Sequence, residues 1–173
     1  MALTKVRGDG VQGMSLLSTS TALTLDANGH ITKPLQPAFL AQPTSGQSNI
    51  AINTAVTVAF ATEVFDNNSD YDNSTHTFTA PVTGRYQFNL QILLESIDSA
   101  AGYYQTQFTT SNRTLYHTFD PDFGQDNQYM HANVNVLTDM DASDTAVVKI
   151  FQANGTQQTD VNSVSSFSGF LVC

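Results

Sequence analysis

The sequence has 173 residues and a mass of 18.7 kDa, which suits one domain with a hydrophobic core of its own. Only 12% of the residues are charged and the formal net charge is −9, whereas charged residues make up about 25% of an average soluble domain. A chain with six cations cannot cover a phosphate backbone or an anionic membrane surface, so we expect neither nucleic-acid binding nor membrane insertion.

The first 36 residues differ in composition from the rest of the chain. They contain several glycines, few large apolar side chains and one hairpin-like piece, residues 23–31. Their most apolar stretch, residues 14–25, is interrupted by Ser and Thr and resembles neither a signal-peptide core nor a membrane span. Such a segment buries too little apolar area to fold alone. We predict an N-terminal attachment arm over residues 1–36 and a protein without a signal peptide.

From residue 37 onward, apolar and polar residues alternate with a period of two, which is typical of strands with one buried face. The clearest case puts Tyr86, Phe88, Leu90, Ile92 and Leu94 on one face. Weaker alternation covers residues 56–60, 103–110, 130–138, 146–151 and 164–172, with turn-forming residues between these runs. The pattern predicts an all-β domain of eight to ten strands, either a sandwich or a jelly roll.

Three motifs in the same region resemble a known family. They are Pro37-Ala38-Phe39, the run Phe-Thr-Ala-Pro-Val-Thr-Gly-Arg-Tyr-Gln-Phe at 78–88, and Ser-Ser-Phe-Ser-Gly-Phe-Leu-Val at 165–172. In this order they resemble the globular head domain of complement component one, subcomponent q, over about residues 37–173. The resemblance implies a tumour-necrosis-factor-like jelly roll, a ten-stranded antiparallel sandwich.

The same resemblance implies a homotrimer. In related trimers the strand after the Pro-x-x-Gly turn sends one face to its own core and the other toward neighbouring subunits. The interface residues that this implies are Gln87, Asn89, Gln91, Asn133, Asn135, Phe167 and Leu171. We expect an amide-rich, hydrated interface; the alternative is a monomer whose outer face is solvated.

A second resemblance concerns residues 25–39, which look like the junction leading into such heads in bacteriophage virion and tail-fibre proteins. It implies a virion structural protein that is made in the host cytoplasm and whose arm, residues 1–36, binds other virion proteins. We favour a tail-fibre or spike tip that binds a host surface glycan. The alternatives are a capsid decoration protein on threefold positions, a free lectin-like or cytokine-like module, and a carbohydrate-acting enzyme.

The sequence contains no recognisable catalytic constellation. Its only glutamates are Glu63 and Glu95, its four histidines are scattered, and its single cysteine, Cys173, excludes an intrachain disulfide. Asp120, Asp122 and Asp126 lack the spacing of a helix-loop-helix calcium site. We expect no enzyme activity, no cofactor and no metal.

Strand direction predicts where a ligand binds. Successive antiparallel strands reverse, so the connections 96–102, 120–128 and 153–162 are expected at the end of the sandwich opposite Pro37. These longer connections are better suited to binding than the tight turns at the other end. The candidate ligand residues are Tyr103, Phe119, Asp120, Asp122, Phe123, Tyr129, Asn154 and Asp160. If the ligand is a glycan, the aromatic rings among them would stack on sugar faces.

Overall fold

The computed structural model describes residues 23–173, and the regular elements among them are all strands. The chain divides into two units, Met1–Leu35 and Gln36–Cys173. The predicted arm therefore falls partly outside the described residues, which begin at Leu23.

In the first unit, strand β1 (Thr24–Leu25) pairs antiparallel with strand β2 (Ile31–Thr32). The turn between them is organised by Asp26, whose carboxylate accepts hydrogen bonds from the backbone N–H groups of Asn28 (2.8 Å) and His30 (2.9 Å). Short Asp side chains favour such turns because they satisfy backbone donors within a few residues. The predicted hairpin at residues 23–31 is confirmed.

The second unit contains the remaining strands. They are β3 (Ala38–Gln42), β4 (Val56–Thr57), β5 (Thr62–Asp66), β6 (Tyr71–Asp72), β7 (Thr77–Thr79), β8 (Gly84–Ile97), β9 (Tyr103–Thr110), β10 (Thr114–Phe119), β11 (Asn127–Met140), β12 (Thr145–Ala153), β13 (Asp160–Val161) and β14 (Ser166–Leu171).

These strands form two antiparallel sheets of six strands each. The first has the order β10-β9-β12-β7-β6, with β4 paired to β12; the second has the order β11-β8-β14-β3-β5, with β13 paired to β8. The predicted all-β, antiparallel jelly-roll sandwich is confirmed. The strands outnumber the ten expected because β4 and β13 are separate two-residue pieces alongside longer strands.

The alternation of apolar and polar residues in the sequence predicts the long strands better than the short ones. The run at 103–110 matches β9, and the runs at 130–138 and 146–151 lie within the longer β11 and β12. The strand expected at 56–60 ends at Thr57, although Val58 and Phe60 still contribute to the core. Strand β10 was not predicted. It is an edge strand without a fully buried position, so its alternation is weak.

The core is built around an aromatic cluster, defined here as Phe39, Phe78, Phe88, Phe108 and Phe167, all fully buried. The predicted inward face of β8 is confirmed, since its five alternating apolar residues are buried. Phe88 lies in the middle of the cluster, with the other four ring centroids 4.9 to 6.5 Å from its own.

Gly169 in β14 leaves room for two rings of this cluster. A Cβ atom at Gly169 would lie 2.5 Å from Phe88 Cδ1 and 2.9 Å from Phe39 Cε1, which is inside van der Waals contact. The glycine of the Ser-Phe-Ser-Gly-Phe-Leu motif is therefore required by close approach of side chains from two neighbouring strands.

We predict that Phe88→Ala lowers the free energy of unfolding by about 3–5 kcal/mol, because it removes a buried ring and leaves a cavity among four others. Thr118→Ala, at an exposed position of β10, should change it by less than about 0.5 kcal/mol. Urea unfolding of both variants at one protein concentration measures the difference. A loss below about 1 kcal/mol for Phe88→Ala would contradict this view of the core.

Candidate functional site

Three connections meet at the end of the sandwich opposite Pro37. They are residues 98–102, 120–126 and 154–159, called the far-end loops here. Strand register places them together: Ile97 pairs with Asn127, and Tyr103 pairs with Ala153. The prediction from strand direction that these connections share one end is confirmed.

A buried carboxylate, Asp98, holds two of the far-end loops together. It accepts hydrogen bonds from the backbone N–H of Ala100 (2.8 Å) in its own loop, and from those of Thr156 and Gln157 (2.7 Å to the latter) in the loop after β12. Asp98 is only 2% exposed. The N–H groups of Gln157, Thr156 and Ala100 hold the pKa of Asp98 below its ordinary value of 3.8, because they favour the ionised form.

Two neighbouring side chains complete this framework. Ser99 donates from its backbone N–H (2.9 Å) and from its hydroxyl (2.8 Å) to Asp126 Oδ1 in the third loop. The buried amide of Gln152 donates to the carbonyl oxygens of Asn154 (3.1 Å) and Gln157 (2.7 Å). The far-end loops are thus linked by hydrogen bonds into one surface.

The predicted ligand residues differ in how they lie at this end. Tyr103, Phe123 and Tyr129 expose their rings, and Asp120 and Asp122 are exposed carboxylates. None of the lysines and arginines in residues 23–173 belongs to the far-end loops, so the exposed surface there is acidic.

Three predicted ligand residues are engaged within the protein instead. Phe119 stacks on Tyr104 with ring centroids 5.2 Å apart and packs against the core, so only part of its ring is left for a ligand. Asn154 exchanges two hydrogen bonds with Asn53, one of 2.9 Å and one of 3.2 Å. Asp160 Oδ1 accepts the N–H of Asn49 at 2.6 Å. Asn154 and Asp160 therefore anchor the loop after β12.

The predicted interface lies on the outward side of β8, β11 and β14, called the polar face here. Because residues opposite each other in adjacent strands share a face, strand register defines its rows. Asn135, Asn89 and Ser168 form one row, and Asn133, Gln91 and Ser166 form the next. A third row consists of Leu137, Gln87 and Phe170.

Two residues assigned to this interface belong to the opposite side of β14. Phe167 is 0% exposed and lies opposite the core residue Leu90, while Leu171 is half-buried and packs against the core. Their predicted position on the interface is wrong. The exposed apolar side chains of these three rows are Leu137 (60%) and Phe170 (43%), neither of which was predicted from the sequence.

Within residues 23–173, no group of three or more His, Cys, Asp and Glu side chains is placed to hold a metal ion. No helix long and apolar enough to cross a membrane occurs in the same part of the chain.

The two facing antiparallel sheets and their strand order define a jelly-roll sandwich. The sequence model of the C1q domain matches residues 38–172, and the chain belongs to the C1q domain family. Among curated protein sequences, none matches the chain significantly.

Similar solved structures agree with the fold. The globular domain of the zebrafish complement 1qA protein is 18% identical, with a TM-score of 0.57 over 80% of this chain and 98% of that one. Crystal structures of murine APRIL at pH 8.5 and pH 8.0 are 12% and 15% identical, with TM-scores of 0.55 and 0.56. They match 79% of this chain and 99% and 98% of their own. At these identities the likeness shows the fold alone.

The lowered pKa of Asp98 predicts how the stability of this end depends on pH. The ionised carboxylate stabilises the fold fully above the unfolded-state pKa, and this contribution is lost as the pH falls through the lower folded-state pKa. We expect Asp98→Asn to lower the free energy of unfolding by about 1–3 kcal/mol at neutral pH. The difference in the free energy of unfolding between this variant and wild type should become smaller below about pH 4.

Urea unfolding from about pH 7 to about pH 3 measures this difference. The exposed Asp122→Asn variant is the control, and its stability should stay within about 0.5 kcal/mol of wild type. If Asp98→Asn and wild type have the same free energy of unfolding at neutral pH, Asp98 does not join the loops.

Proposed function

We propose that this chain is a non-enzymatic, homotrimeric binding head of a bacteriophage virion, attached to the particle through residues 1–36. In this proposal the far-end loops form the tip of a tail fibre or spike and contact the host surface. C1q-type domains are typically trimeric binding modules, which supports the general class. The polar face is the observation that carries the trimer.

The polar face has the composition of a surface that associates with further protein. Leu137 and Phe170 leave large apolar side chains in water on either side of Gln87, whose amide donates to the carbonyl oxygen of Phe88 at 3.0 Å. Exposed aromatic and aliphatic residues among uncharged amides fit an interface with an apolar centre and hydrogen-bonded surroundings. A second and third copy of the chain are the partners in our proposal.

We predict a trimer in solution, with a mass near three times the 18.7 kDa of one chain. Leu137→Asp should reduce the mass toward one chain at micromolar concentration, because it would bury an unpaired carboxylate in the interface. Light scattering coupled to size-exclusion chromatography measures both masses.

The matched control for this experiment is Tyr116→Asp. Tyr116 and Leu137 are both 60% exposed but belong to opposite sheets, so Tyr116→Asp should leave the mass unchanged. A single-chain mass for the unmodified protein would reject the trimer. Equal masses for the two variants would reject the polar face as its interface.

Two observations support the virion role and the tip position. The β1–β2 hairpin overlaps the segment, residues 25–39, that resembles the junction into phage heads. The head begins at Pro37, at the end opposite the far-end loops, which leaves the exposed Phe123 and Asp122 free to contact a host. The hydrogen bonds of Asp98 keep these loops in one arrangement, which reduces the entropy lost on binding.

We predict that phage carrying Asp122→Ala and Phe123→Ala together adsorb to host cells at least about tenfold more slowly, since the variant loses a ring and a charge at the tip. Counting unadsorbed particles against time gives the rate. Electron microscopy with gold-labelled antibody should place this chain on the tail.

The outcomes separate the alternatives. Label on the shell with unchanged adsorption would favour a capsid decoration protein and reject the tip. Absence of label from purified particles would reject the virion role and favour a free binding module.

A further inference from the structure

The outward side of β9, β10 and β12 is a third distinct surface, called the outer platform here. Register and burial identify its members, because the alternate residues of these strands face the core. The outer platform consists of Tyr103, Gln105, Gln107, Thr109, Thr114, Tyr116, Thr118, Thr145, Val147, Lys149 and Phe151. It contains aromatic rings, amides and hydroxyls, and no carboxylate.

Side-chain contacts hold the outer platform in shape. Tyr103 stacks on Phe151 with ring centroids 5.8 Å apart and planes 29° apart. Gln107 donates its amide to Gln105 Oε1 at 3.1 Å, which aligns the two amides along β9. Tyr116 lies directly across from Gln107 and is 60% exposed. The platform therefore presents aromatic rings on both sides of ordered amides, with Tyr103 and Tyr116 exposed and Phe151 half-buried.

The electrostatic setting of the outer platform differs from that of the other surfaces. The chain carries a net charge of −9, and exposed acids lie in the far-end loops at Asp120 and Asp122. The only formal charge on the outer platform is Lys149. An anionic polymer is repelled by most of this protein, whereas an uncharged ligand meets no such barrier at the platform.

We propose that the outer platform binds a neutral oligosaccharide. Sugar rings present apolar C–H faces that pack on aromatic rings, and hydroxyls that both donate and accept hydrogen bonds. Tyr116 and the Tyr103–Phe151 pair supply the rings, and Gln105 and Gln107 supply amide donors and acceptors. The absence of carboxylates and the neutral polar groups match an uncharged, hydroxyl-rich ligand.

The dimensions of the outer platform indicate a chain of sugars rather than one ring. Tyr116 lies in β10 and Phe151 lies in β12, with β9 between them, and Phe151 is two residues along β12 from Lys149, which is level with Tyr116. Ordinary strand spacing and rise then place the two backbones about 12 Å apart. That distance exceeds one pyranose ring. A protein partner fits less well, because the rings are separated by amides and form no continuous apolar patch.

A glycan array tests the proposal with the full-length, fluorescently labelled protein. The array carries neutral hexose, deoxyhexose and N-acetylhexosamine oligosaccharides beside sulfated and uronic-acid-containing ones. We expect binding to a subset of the neutral oligosaccharides. Tyr116→Ala and Phe151→Ala should each reduce that signal at least tenfold.

Matched variants separate this inference from the proposed host-binding loops. Phe65→Ala removes a ring that is 47% exposed in β5 of the opposite sheet, and it should bind like wild type. Phe123→Ala in the far-end loops is measured beside them. Circular dichroism establishes that each variant is folded.

Three results would overturn the inference: no neutral oligosaccharide bound by the wild type, binding confined to acidic ones, or a loss with Phe123→Ala while Tyr116→Ala binds normally. The last result would assign the glycan to the far-end loops. The inference does not depend on the virion role, because the array uses the isolated protein. Failure to find the chain in particles would leave glycan binding by the platform intact.

Discussion

The separation of the two sheets depends on the close approach of Phe88 and Phe39 over Gly169. Because Gly169 of β14 has no side chain, the rings of Phe88 and Phe39 from the neighbouring strands come close together over it. There Phe39 packs on Phe78 and Phe88 packs on Phe108, both from the opposite sheet. Interiors packed at this density tolerate little change in volume. The core therefore fixes the strand register, and the register in turn assigns every other residue to one of the surfaces.

The sequence predicts the buried face of a strand best when the large apolar residues are confined to one face of that strand. Strand β8 alternates strictly, so its buried face was identified correctly. Strand β14 carries large apolar residues on both sides, Phe167 inward and Phe170 outward, and composition alone could not decide between them. The role of Asp98 could not be read from sequence, because its partners Thr156 and Gln157 are more than fifty residues away and bind it mainly through backbone N–H groups.

The distribution of charge distinguishes three surfaces on one small domain. Acids are exposed in the far-end loops, amides flanked by apolar side chains form the polar face, and carboxylates are missing from the outer platform. A chain with only 12% charged residues achieves this with neutral hydrogen-bonding groups. Such groups give hydrogen bonds whose strength changes little with ionic strength, unlike exposed ion pairs.

The bonds made by Asp98 restrict only some of the neighbouring residues. Its carboxylate binds the main-chain N–H groups of Ala100 and Gln157, which every residue except proline provides, so these two positions are not restricted to one residue type. Thr156 also donates its hydroxyl at 3.3 Å, and a Cβ atom at Gly155 would lie only 2.6 Å from Asp98 Oδ2. Substitutions at Ala100 and Gln157 can alter the chemistry of the tip while its scaffold persists. A lineage facing a changing target could therefore exchange the outward residues one at a time, without passing through unfolded intermediates.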